Sequence, residues 1–89
     1  MASMMVQQTV KDFAMWKKAY DSMASLRTSK GAISDMVFHD ASDKNKVTVI
    51  LNWDSLDKAK NYAQSPELKA AMMEAGVEGP PQITYLNAA

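Results

Sequence analysis

No cysteine occurs in this chain, so disulfides, CxxC redox chemistry and thiolate metal sites are excluded. There is no surplus of charge: ten Lys and Arg face ten Asp and Glu. Nucleic-acid binders carry a basic excess that neutralises phosphates, so that class is set aside. Zero net charge also removes a barrier to self-association. No apolar run approaches the ~20 residues of a membrane span, and no basic segment leads into an apolar one at the N-terminus. The expectation is a cytoplasmic protein that avoids membranes. With three glycines and one histidine, the chain has no phosphate loop, no nucleophile elbow and no metal-spaced His/Glu cluster. Neither a metal nor a cofactor is expected.

What is present is a pattern. Val47–Trp53 is rich in β-branched and aromatic residues, as suits a central strand, and Asp54 or Ser55 caps the helix after it. Met1–Met4 receives no structural weight, and Met4–Lys11 reads as a first strand. From the cap Asp12, residues Phe13, Trp16, Tyr20 and Met23 recur at helical spacing. Lys17, Lys18, Asp21 and Arg27 occupy the other faces of this helix of about four turns, which ends at Gly31. Ala32–His39 is the second strand, and Asp40–Lys46 is a polar loop. Pairing Phe38 with Val47 places Met36, Phe38, Val47, Val49, Leu51 and Trp53 on one face. The opposite face then carries Asp35, Val37, His39, Thr48, Ile50 and Asn52. The second helix starts at Asp54–Leu56 and buries Leu56, Ala59 and either Tyr62 or Ala63. Ser65-Pro66-Glu67-Leu68 is a fresh helix start, and Gly76 is its stop. Gly79-Pro80-Pro81 reads as a stiff connector before a last strand, Gln82–Asn87.

The order β-α-β-β-α-β builds a single ferredoxin-like α+β domain over residues 1–89. Its four-stranded antiparallel sheet has the first and third strands in the middle and both helices on one face. The bare face, with Val37 and Ile50 among polar groups, needs a cover. A homodimer joined through these faces supplies one, and Asn52 is expected to hydrogen-bond in that interface.

Several motifs run through nearly the whole chain. They are Val10-x-Asp12-Phe13-x-x-Trp16-Lys17, Asp40-x-x-Asp43-x-Asn45-x-Val47-x-Val49 with Trp53 following, Ser65-Pro66-Glu67-Leu68, Ala75-Gly76-Val77 and the Pro80/Pro81 pair. Together they resemble the dimeric α+β barrel superfamily, and within it the small proteins similar to antibiotic-biosynthesis monooxygenases. The resemblance implies a homodimer and leaves chemistry open, because that superfamily mixes oxygenases, haem degraders, isomerases, cyclases and members without assigned activity. It also implies that Trp53 matches a tryptophan lining the cleft between sheet and helices. Many oxygenase-like relatives and the haem degraders carry a helix histidine near the position of Tyr62. This chain has none in either helix, which argues against haem ligation and histidine-assisted chemistry.

The residues carry their own readings. Trp53 suits a core anchor at a strand–helix junction as well as a pocket wall. Tyr62 can hydrogen-bond a phenolic or quinone-like ligand, but a phenol of pKa near 10 is a poor base. His39 can act as a base only if a partner orients it; alone at a strand end it reads as a solvated rim residue. Asp40, Asp43 and Asn45 fit turn chemistry better than a cation loop. Gln7 and Gln8 can offer an amide to a pocket. Any ligand site should lie between helices and sheet, lined by Trp16, Phe38, Trp53, Tyr62 and Met72. Its occupant is expected to be a small apolar or aromatic molecule. The alternative is a cofactor-independent monooxygenase acting on an electron-rich aromatic or quinol.

Overall fold

The computed structural model describes residues 2–89. Its elements are β1 (Ala2–Val10), α1 (Phe13–Ser22), α2 (Ala24–Ser29), β2 (Ala32–His39), β3 (Lys46–Trp53), α3 (Leu56–Ala63), α4 (Pro66–Glu74) and β4 (Val77–Asn87). The strands form one antiparallel sheet in the order β2-β3-β1-β4, so the first and third strands are central as expected. Alternation does the rest. Met4, Val6, Val10, Val47, Val49, Leu51 and Trp53 point to one face and are buried there with Trp16, Ala59, Tyr62 and Ala75 from the helical layer.

Each of the two expected helices is divided. The Asp12 carboxylate accepts the Met15 N–H and caps α1, while the Asn45 side chain accepts the Phe13 N–H from across the fold. The helix breaks at Met23. There the Tyr20 carbonyl accepts the Met23 N–H and a guanidinium N–H of Arg27, so the backbone tightens before α2 begins. The second break falls where Ser65-Pro66 signals it, with the Ser65 hydroxyl accepting the Leu68 N–H. Gly31 closes α2 with φ of 110°, a conformation unfavourable for residues with a Cβ.

Three expectations are corrected. First, β1 starts at Ala2 and Met4 is fully buried, so residues 2–4 do carry structure, while Met1 lies outside the described residues. Second, Gly79-Pro80-Pro81 lies inside β4, opposite Gln8, where the register with β1 shifts between Gln7 and Thr9. Prolines are tolerated there because β4 is an edge strand.

The third correction is the hairpin register. His39 pairs with Val47, and Phe38 with Thr48, one residue away from the expected pairing. The loop explains the slip. The Asp40 carboxylate accepts the Ser42 N–H, and that of Asp43 accepts the Asn45 N–H. The Asp40 N–H also reaches the Lys46 carbonyl. This closure makes Asp40 face Lys46 and turns every side chain of β2 over. Val37 therefore packs against the core and leaves the outer face, whereas Phe38 moves to the outer face, half-exposed. Ile50 and Asn52 lie on the outer face as expected.

Candidate functional site

Between the sheet and the helical layer lies a cavity of about 60 Å³. Its floor is built by Met4, Val6 and Gln8 of β1, Val49 and Leu51 of β3 and Ile83 of β4. Trp16, Ala19 and Tyr20 of α1 form one wall with Met23 and Arg27. Tyr62 and the α4 residues Leu68, Ala71 and Met72 form the other, with Ala75 beyond them. The lining is overwhelmingly apolar, and the polar groups are few and placed on two sides.

On the α1–α2 side, Trp16 stacks on Tyr20 with centroids 5.1 Å apart. The Arg27 guanidinium lies 3.7 Å above the centre of the Tyr20 ring, a cation–π geometry. The Tyr20 hydroxyl donates to Asp35 at 2.5 Å. Burial pushes its pKa far up, and the Asp35 hydrogen bond, which holds the proton on the phenol, adds to that; Arg27 opposes both. Burial likewise raises Tyr62, and the nearby positive charge of Arg27 draws it partly back. Both phenols are therefore protonated at neutral pH and act as hydrogen-bond donors and acceptors, not bases. On the sheet side, the Gln8 side-chain oxygen is buried without a hydrogen-bond partner.

The family model of antibiotic biosynthesis monooxygenases matches residues 8–74, which run from the floor residue Gln8 through the wall residue Met72. The chain belongs to the antibiotic biosynthesis monooxygenase family. A solved structure of a proposed family monooxygenase from Bordetella bronchiseptica superposes with a TM-score of 0.84 at 13% identity, covering 99% of this chain and 96% of that one. SnoaB from Streptomyces nogalater, a cofactor-independent oxygenase, gives a TM-score of 0.81 at 13% identity, with 99% and 92% covered. A further such protein from Caulobacter crescentus CB15 gives 0.78 at 19% identity, with 99% and 89% covered. At these identities the superpositions establish a shared fold. No curated protein matches the chain.

Within this family frame, the expected site residues divide. Trp16, Tyr62 and Met72 line the cavity. Trp53 does not: it is fully buried behind Tyr62, ring centroids 5.1 Å apart, as a core anchor whose indole N–H has no partner. Phe38 does not either, because the hairpin register carries it to the opposite face of the sheet. His39 sits at the exposed end of β2 edge-on to Phe13, with Nδ1 3.0 Å from the Asp40 carbonyl oxygen, away from the cavity lining. Among the described residues no cluster of three metal-ligating side chains forms, and no helix is long and apolar enough to cross a membrane.

Arg27, which by its charge belongs with Lys17, Lys18 and Asp21 on the polar faces of the helix, is only 5% exposed. The signal was there. Trp16, Tyr20, Met23 and Arg27 follow a 4-3-4 spacing, so Arg27 continues the apolar stripe. The facing of Gln8 follows from alternation with Met4, Val6 and Val10.

Proposed function

We propose that this protein is a homodimer that binds a small aromatic or apolar ligand in the sheet–helix cavity. The observation that carries this reading is the cavity itself: an apolar space walled by Trp16, Tyr20 and Tyr62, with polar atoms confined to a few positions. At about 60 Å³ it holds only a few waters as built, well below the ~300 Å³ or more of an ordinary small-molecule pocket. A ring therefore enters by displacing the unbranched, flexible side chains of Met23 and Met72. Support for the dimer comes from the outer sheet face, where Met36, Ile50 and Met5 form one cross-strand row with nothing over them.

A second reading, cofactor-independent oxygenation of an electron-rich phenol or quinol, is favoured by the paired protonated phenols and by the fold shared with SnoaB. In that chemistry the substrate supplies all four electrons that dioxygen takes up. A phenol and dioxygen give a quinone and water, one oxygen atom entering the ring and the other leaving as water. Thermal denaturation against a panel of naphthols, hydroquinones and quinones tests binding, because a ligand selective for the folded state raises the melting temperature. A rise of several degrees with at least one planar aromatic is expected, and oxygen uptake with that compound separates enzyme from binder. A flat response across the panel would contradict the proposal.

A further inference from the structure

Arg27 is the only charged residue among those described whose side chain is buried, and it is buried at the edge of an apolar cavity. Buried cations ordinarily face a carboxylate. The two ion pairs among the described residues, Lys17–Asp21 and Lys58–Asp54, are both on the surface and neither involves Arg27. Asp35, which lines a shallow pocket with Arg27, forms neither of these pairs and accepts the Tyr20 hydroxyl. Arg27 does clamp the helix break, donating from Nη1 to the Tyr20 carbonyl at 2.8 Å. That role uses one of the five N–H donors of a guanidinium, and Arg27 also hydrogen-bonds the Tyr62 side chain, but neither of these neutral partners balances its charge. A second, independent mismatch stands on the cavity floor. The Gln8 amide oxygen is buried with no partner, and turning the amide over only exchanges one unmatched polar atom for another. Buried polar atoms are nearly always paired, so an unmatched one on a residue of the cavity floor calls for an explanation.

We infer that the cavity takes a planar aromatic acid, a ring bearing a carboxylate or equivalent oxyanion, with the anionic oxygens received by Arg27 and an adjacent polar group met by Gln8. The inference rests on the cavity-binding reading above and adds the charge of the ligand to it. An oxyanion on the guanidinium makes charge-assisted, forked hydrogen bonds, roughly twice as strong as neutral ones. It also neutralises the buried cation, which a neutral ring leaves in place.

Benzoate and benzamide are nearly the same size and shape and differ in charge at neutral pH. Each is titrated into the full chain, with the side-chain amide resonances of Gln8 followed by NMR. Benzoate is expected to bind at least tenfold more tightly than benzamide and to move the Gln8 signals. Arg27→Met should bring the ratio of benzoate to benzamide affinity down to about one. Arg27→Lys, which keeps the charge, should retain part of the preference, and serves if Arg27→Met does not fold. Equal affinities of the two probes for the unaltered protein would overturn the inference and leave the cavity reading standing. Failure of both probes to move Gln8 would overturn this inference and count against that reading too. A purely structural Arg27 would lower stability on substitution without changing the benzoate-to-benzamide ratio.

Discussion

Trp53→Ala is expected to lower the free energy of unfolding by about 3–5 kcal/mol, the cost of removing a large aromatic from a site that cannot collapse. Trp53 is fully buried at the end of the central strand β3, paired with Ala2 of β1 and Ala32 of β2 and packed against the Tyr62 ring. Small neighbours on both flanking strands leave little able to fill the space. A chain of this size has only about 5–15 kcal/mol of stability to lose, so the variant should be near the edge of folding at 37 °C. Urea melts measure it: the midpoint should fall with the slope unchanged. A loss under about 1 kcal/mol would mean that Trp53 borders open space and that the core is centred elsewhere. Trp53→Phe should be much milder, because it keeps a ring and removes the one indole N–H that has no partner.

Ile50→Asp is expected to abolish the proposed dimer. On the outer face Ile50 stands between Met36 and Met5. The row on one side is polar, with Asn52 between Ser34 and Ser3. The row on the other is Phe38, Thr48 and Gln7. A partner sheet packed on this face buries the Met–Ile–Met row at its centre. An unpaired carboxylate there costs several kcal/mol, enough to shift a micromolar dimer to monomers. Sedimentation equilibrium at micromolar concentration should give twice the 9.8 kDa chain mass for the unaltered protein and 9.8 kDa, or unfolded chain, for the variant. An intact dimer in the variant would place the interface elsewhere. The Asn52 side chain is already engaged within its own sheet. Its amide accepts from Ser3 at 2.6 Å and donates to Ser34 at 2.8 Å, tying three strands of its own sheet together.

The elements of the fold were legible because each follows from local chemistry. Val47–Trp53 has no other conformation that buries its apolar alternation, and Asp12, Ser55 and Ser65 all cap the helices they precede. The site was less legible, for two physical reasons. Register between β2 and β3 depends on five loop residues, Ala41–Asn45, whose Asx turns decide where pairing begins. A slip of one residue exchanged Val37 for Phe38 across the sheet. The second reason is that charge is not a reliable sign of exposure. Arg27 lies on the same helical stripe as Trp16 and Tyr20, yet its guanidinium made it read as a surface residue. Stacking of its guanidinium on the Tyr20 ring is a choice that a charge pattern does not report. Trp53 shows the converse. Its place at the β3–α3 junction was clear, but whether it bordered the cavity depended on Tyr62 standing in front of it.

The eight methionines provide the most direct measurement, since they sample both faces of the sheet. Met4, Met23 and Met72 line the cavity, whereas Met5 and Met36 lie on the outer face and Met73 is 82% exposed. With the methionine methyls labelled with carbon-13 and 1,4-naphthoquinone titrated in, the signals of Met4, Met23 and Met72 should shift together along one saturating curve. Those of Met5, Met36 and Met73 should stay in place. Shifts confined to Met5 and Met36, with the three cavity methyls unmoved, would contradict a ligand site between the helices and the sheet.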